Sequence, residues 1–136
     1  MTIHYKTTAN DVDWEAMRNI LLKDDFHNGR SPEQYRTSFE NSFAICIAYD
    51  DAQIIGTVRA LSDGVCNAYI VDVWTYSKYR RQGIARHMID LVLEKLPGQH
   101  VYLWTDDQTA FYQAIGFKKT DNDGLEKVVG SWLINQ

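Results

Sequence analysis

Apolar residues recur along the chain with two different periods, and the switches between them mark out the elements. Thr2 to Lys6 alternates weakly, as a first strand would. Trp14, Met17, Ile20 and Leu21 then recur at helical spacing, with Asn10 or Asp11 available to cap the start. Asp24-Asp25-Phe26-His27-Asn28-Gly29-Arg30 breaks that period as a loop. A second, short helix follows with a clear start signal: Ser31 as N-cap, Pro32 at the first helical position and Gln34 closing a capping box. Tyr35 and Phe39 would be its buried edge.

Phe43 to Tyr49 and Gln53 to Leu61 are rich in β-formers on either side of Asp50-Asp51, which predicts a hairpin. Ser62-Asp63-Gly64 signals another turn, and Asn67 to Thr75 reads as a strand with one conspicuous charge, Asp72. Ile84, Met88, Leu91, Val92 and Leu96 mark a helix, within 81–96, ended by Pro97-Gly98. Val101 to Trp104 is a short apolar strand, and Gln108 to Ile115 a short helix ended by Gly116. Phe117 and Val128 to Ile134 are expected to form a final hairpin. Strand 67–75, helix 81–96 and strand 101–104 make a βαβ unit, parallel with a right-handed crossover. The expected fold class is α/β with a mixed sheet.

Composition narrows the function. A chain of 136 residues, 45% hydrophobic and 24% charged, suits one domain over residues 1–136 and is too apolar for a disordered one. No apolar run approaches the length of a membrane span, and the start lacks an apolar signal core. A soluble, cytoplasmic protein is expected. Fourteen Lys and Arg against eighteen Asp and Glu give a net charge of −4. No basic stripe is present, so nucleic acid is not an expected partner. Cys46 and Cys66 are too few for a disulfide framework or a metal site and read as buried free thiols; no metal is expected.

The chemistry points to the loop between strand 67–75 and the following helix: Tyr79-Arg80-Arg81-Gln82-Gly83-Ile84-Ala85-Arg86. A strand running into a helix exposes backbone N–H groups without intrahelical partners at the positive end of the helix dipole, an arrangement suited to phosphates. Gly83 permits close approach of the backbone, Ala85 keeps the next turn small, and Arg80, Arg81 and Arg86 add charge. The stretch is neither a Walker A loop nor a dinucleotide fingerprint. A solvated helix start is the plainer alternative.

The setting of this loop resembles the GNAT superfamily of N-acetyltransferases. That family's pyrophosphate signature, Arg/Gln-x-x-Gly-x-Gly/Ala, is matched by Arg80, Gly83 and Ala85, preceded by Tyr79. Its Phe-Tyr-x-x-x-Gly-Phe helix is matched by Phe111, Tyr112, Gly116 and Phe117, and the likeness runs from about Gln53 to Phe117. Within the superfamily, Arg59-Ala60-Leu61-Ser62-Asp63-Gly64, Asn67-Ala68 and Asp72-Val73 are most similar to a branch of plant plastid acetyltransferases acting on arylalkylamines and protein lysines.

The resemblance implies binding of acetyl-CoA (coenzyme A) and direct acetyl transfer to a primary amine in a ternary complex. The acceptor would be a small-molecule amine or a lysine-containing peptide. It also implies that strands 67–75 and 101–105 splay apart around the pantetheine arm. Val73 and Trp74 would supply main-chain contacts, and amides from Arg81 through Gln82, Gly83, Ile84 and Ala85 to Arg86 would hold the pyrophosphate. Thr105 stands near a position often Asn in relatives, and Ser77 where many have Pro. A homodimer through the last strands is a further expectation. The alternative function is a non-catalytic acyl-CoA-binding regulatory module.

Tyr112 is the family's acid. Proton transfer from a phenol near ~10 to a thiolate near ~8.5 is uphill by roughly 2 kcal/mol, so hydrogen bonding to the leaving group is its main expected role. The alternative is a Tyr that anchors its helix through its hydroxyl. An amine near ~10.4 carries a handicap of about 4–5 kcal/mol at neutral pH, and Asp72 is the candidate general base. An Asp bonding loop amides or pairing an Arg is the alternative for that residue. Asp106 and Asp107 read as caps for helix 108–115, and Asp24, Asp25 and His27 as a solvated loop or the acceptor border. His4, His87 and His100 read as fillers. Trp14, Trp74, Trp104 and Trp132 read as core, with Trp74 and Trp104 also placed to narrow an acyl pocket.

Overall fold

The computed structural model describes residues 2–120 and 124–129. Seven strands form one mixed sheet: β1 (Ile3–Lys6), β2 (Ala44–Asp50), β3 (Gln53–Ser62), β4 (Asn67–Thr75), β5 (His100–Leu103), β6 (Lys118–Lys119) and β7 (Leu125–Val128). Their spatial order is β1-β2-β3-β4-β5-β7-β6. Four α-helices accompany them, α1 (Trp14–Lys23), α2 (Pro32–Glu40), α3 (Ile84–Leu93) and α4 (Thr109–Ala114). Every neighbouring strand pair is antiparallel except β4 and β5, which run parallel through the α3 crossover.

Local chemistry sets the helix ends. Ser31 and Gln34 close the expected capping box on α2, with Pro32 at its first turn. The α1 cap is Asp13, not Asn10 or Asp11: its side chain accepts from the Ala16 amide at 2.9 Å, while Asp11 sits in the preceding turn at φ +56°. Helix α3 starts at Ile84 because Arg81 and Gly83 both adopt left-handed backbone conformations that no helix accommodates. It ends at Leu93, short of the expected 96, because the chain tightens into i→i+3 turns (Lys95 amide to Val92, Leu96 amide to Leu93) before Pro97. The last hairpin lies earlier than expected: Lys118–Lys119 pairs with Leu125–Val128, anchored by Leu125, which is buried and opposite Leu103 of β5. The expected continuation to Ile134, with Trp132, falls outside the described residues.

Each face of the sheet is covered. On one, α3 packs over β2, β3 and β4; a Cβ at Gly56 would lie 2.8 Å from the Met88 side chain and 3.1 Å from the Trp74 carbonyl, so only glycine lets the layers approach this closely. On the other, α1 and α2 pack together, with Trp14 against Phe39 and Tyr35, Phe39, Met17 and Leu21 buried. Cys46 is fully buried in β2, and burial pushes its thiol up to about 12. Cys66 is only half-buried, a departure from the expected pair of buried thiols.

Candidate functional site

The parallel pairing of β4 with β5 is short. Register contacts run Asn67 to His100, Ala68 to Val101 and Tyr69 to Tyr102, and then the ladder ends. From Ile70 to Thr75, β4 has a strand neighbour among the described residues only on its β3 side. A one-residue bulge lies in that stretch: Thr57 opposes Trp74 and Arg59 opposes Val71, so Asp72 and Val73 together face Val58. Asp72 takes the left-handed conformation (φ +54°), which Asp tolerates better than most residues, and Thr57 Oγ1 donates to its carbonyl at 2.8 Å.

The loop after β4 leads through a single 3-10 turn, Ser77–Tyr79, into α3. Arg81 (φ +63°) and Gly83 (φ +79°) are both left-handed, an alternation that gathers successive N–H groups into a concave anion-binding nest. Asp13 and Ser31 cap α1 and α2, but Gly83 offers α3 no side-chain cap. The first amides of α3 therefore have no side-chain partner among the described residues, as a helix start able to take an anion would. Nothing lies within 4 Å of where a Cβ on Gly83 would be, so the space beside that residue is open. Arg80, Arg81 and Arg86 are exposed around it.

Two carboxylates brace this loop. Tyr79 Oη donates to Asp50 at the end of β2 (2.6 Å), and that bond, then burial, raises the phenol's pKa. Asp24, at the end of α1, accepts from Trp74 Nε1 (2.9 Å), the Ser77 amide (3.0 Å) and the Ser77 hydroxyl (2.6 Å), with Arg80 Nη2 at 3.9 Å. Burial alone would raise its pKa, yet the Ser77 and Trp74 bonds and the Arg80 charge hold it below the usual carboxylate range. Asp24 is thus a structural tie from α1 to the anion loop, not a solvated loop residue. Ser77 earns its place by bonding Asp24 twice, which Pro could not do.

Asp72 is also held. Arg30, from the connection between α1 and α2, grips both its oxygens at 2.9 Å, and Arg59 of β3 donates from Nε at 2.6 Å. Burial pulls its pKa upward, but the two guanidinium bonds and charges outweigh it and keep the carboxyl below its ordinary value. A general base for an amine needs the opposite shift. The structure therefore favours the paired-Asp alternative over the expected base. Arg30 and Arg59 carried no sequence signal, because they reach Asp72 across 42 and 13 residues with no periodic spacing.

Tyr112 of α4 is buried, edge-on to Phe111 and Phe117. Burial, with Asp107 nearby, pushes its phenol up to about 12. The Thr105 hydroxyl accepts from the Gln108 amide at 3.1 Å and so starts the turn into α4. Asp106 and Asp107 do not cap that helix, since no side chain caps its first residue and both are exposed. Trp74 is buried with its indole committed to Asp24, whereas Trp104 is 57% exposed and edge-on to Tyr69. His87, in the first turn of α3, stacks on Tyr5, and His100 lies on Tyr102 and contacts Glu126 at 2.8 Å. Among the described residues no group of His, Cys, Asp or Glu could hold a metal ion, and no helix is long and apolar enough to cross a membrane.

A bare helix start beside a split parallel pair, with a high-pKa phenol on the helix after the second strand, suits a ligand with an anionic end and an extended arm. The acetyltransferase (GNAT) family model matches residues 14–117. The chain is 27% identical over 124 residues to a Gibberella zeae protein named "Putative acetyltransferase FG08082", covering 87% of this chain and 67% of that one. A Deinococcus radiodurans R1 structure, described as a putative acetyltransferase, superposes with TM-score 0.78 at 27% identity, over 88% of this chain and 84% of that one. PaiA N-acetyltransferase from Thermoplasma acidophilum in complex with coenzyme A shares the fold at TM-score 0.70 and 15% identity, over 93% and 97% of the two chains. The chain belongs to the acetyltransferase (GNAT) family and is an acetyl-CoA-dependent acetyltransferase.

Gly83→Glu, which adds bulk and negative charge at the open helix start, is expected to abolish coenzyme A binding measured by calorimetry. Gly83→Ala, which carries the backbone strain alone, should bind more tightly than the Glu variant. Wild-type affinity in Gly83→Glu would remove the loop from the binding site.

Proposed function

We propose that the protein transfers the acetyl group of acetyl-CoA to a primary amine, of a small molecule or a protein lysine, by direct attack in a ternary complex. The observation that carries this reading is the uncapped, open start of α3 beside the stretch of β4 that β5 leaves unpaired. Acetyl-CoA supplies a thioester whose acyl carbon an amine attacks while the sulfur leaves as thiolate. The amides from Arg81 to Arg86 suit its diphosphate, with Arg80, Arg81 and Arg86 adding charge. The backbone of Val73 and Trp74 lies in the unpaired stretch and suits an extended amide-bearing arm. Thr105 serves the turn into α4 and stands at the edge of the same opening.

Tyr112 keeps its proton. With its phenol near about 12 and a thiol near ~8.5, complete transfer would be uphill by about 5 kcal/mol. Its role is a hydrogen bond from Oη to negative charge developing in a buried site, where such a bond is strongest. Asp72 does not take the amine's proton, so the acceptor must arrive neutral. The likeness of residues 59–73 to the plant plastid branch adds arylalkylamines and protein lysines to the acceptor classes worth screening.

Tyr112→Phe is expected to lower kcat at least tenfold while leaving coenzyme A affinity within a few-fold, read by thiol release and calorimetry. An unchanged kcat would exclude the phenol from the mechanism. Since the Tyr112 phenol lies near about 12 and Asp72 below the carboxylate range, neither titrates between pH 6 and 9. For an aliphatic acceptor, log kcat/KM should therefore climb with slope about one over that interval, following the amine's own deprotonation. A plateau that Asp72→Asn displaces would restore Asp72 as the base.

A further inference from the structure

The Arg30–Asp72–Arg59 cluster holds more positive charge than its structural work needs. Arg30 alone satisfies both carboxylate oxygens of Asp72 in a two-pronged pair. Arg59 adds a second guanidinium to the same carboxylate, so two cations face one anion. All three side chains are largely buried, at 15% exposure for each Arg and 19% for Asp72. A surplus cation so placed carries a desolvation cost that an anionic partner would offset. The donors are there to receive one. Arg59 commits Nε to Asp72 and holds Ser42 Oγ from Nη1 at a long 3.3 Å, and its Nη2 makes no hydrogen bond among the described residues.

The position of the cluster relates it to the proposed transfer. Arg59 pairs in register with Val71, and Leu61 with Tyr69, which is itself in register with Tyr102 of β5. Arg59 and Tyr69 therefore share one sheet face, the face over which Arg30 arrives from the connection between α1 and α2. Asp72 sits in the very stretch of β4 that has no β5 partner. Arg59 stands on β3, one strand over from β4, so an amine entering the opening from the α1–α2 face would meet the surplus cation across β4. We infer that the acceptor is an amine that also carries a carboxylate, an amino acid or a close analogue, and that Arg59 binds that carboxylate. A guanidinium fork is the geometry best matched to such a group. This inference rests on the acetyl-transfer reading and narrows its acceptor away from arylalkylamines.

The test is thiol release with the standard α-amino acids, β-alanine and 4-aminobutyrate, each beside its own carboxamide, alongside calorimetry with coenzyme A. The wild type should favour the acid member of the best pair by at least tenfold in kcat/KM. Arg59→Gln should bring that ratio to within about twofold of unity, and Arg59→Lys should leave an intermediate value. Asp72→Asn, which increases the surplus charge, should raise it. General damage to folding or catalysis cancels in the ratio, and the wild-type comparison decides even if a variant fails to fold. Acids and amides used equally, amides preferred, or a ratio unmoved by Arg59→Gln would overturn the inference while leaving acetyl transfer intact. Tight coenzyme A binding with no acid acetylated would overturn it as well. Failure to bind coenzyme A together with failure to acetylate any amine would remove the acetyl-transfer reading and this inference together.

Discussion

The end of the β4–β5 ladder after Tyr69 is the constraint on which the rest of the site depends. Backbone N–H and C=O groups left without partners are costly wherever water is excluded, so a sheet rarely interrupts a central ladder without a use for the opening. Here the interruption falls between the only parallel pair in the described sheet, and both connections that leave those strands lie at its open end. One becomes the anion loop before α3; the other turns through Thr105 into α4 and Tyr112. A ligand with a charged diphosphate at one end and amide groups along an extended arm fits both features at once. The family to which the chain belongs uses such a ligand.

The opening is kept in shape by buried charge rather than by apolar packing alone. Asp24 ties the end of α1 to Trp74, Ser77 and Arg80, so the helix layer and the anion loop are fixed to each other. Asp72 receives two guanidiniums at a left-handed bulge, a backbone conformation that needs support from its surroundings. Both carboxyls are held below their ordinary range, which means that each contributes stability fully at neutral pH. That contribution stands above the unfolded value of ~3.9 and is lost only as pH falls through the lower folded values. Their charge is structural.

Much of this was legible in the chain. The capping box at Ser31 to Gln34, the hairpin across Asp50-Asp51 and the amphipathic run from Ile84 are local patterns, and local patterns form as written. Arg80, Gly83 and Ala85 stood out because they match the GNAT pyrophosphate signature at a strand-to-helix junction. Asp72 stood out as a charge inside a strand, but its role depended on Arg30 and Arg59, which only the folded topology brings to it. The same limit applies to Asp24: it stands beside Asp25, and nothing local says which of the two a tryptophan 50 residues away will bond. The cap of α1 moved to Asp13 because three candidate acids and amides stand within four residues, and the choice among them is made by the turn that precedes the helix. The last hairpin shifted because its position is fixed by Leu125 docking opposite Leu103, a tertiary contact.

A crystal structure of the protein with coenzyme A is the most direct measurement of the central claim. The account predicts the diphosphate on the main-chain amides of residues 81–86 and the pantetheine arm lying along β4 between Ile70 and Thr75, in the gap that β5 leaves. Coenzyme A bound elsewhere on the molecule, or that gap closed by side chains in the complex, would contradict it.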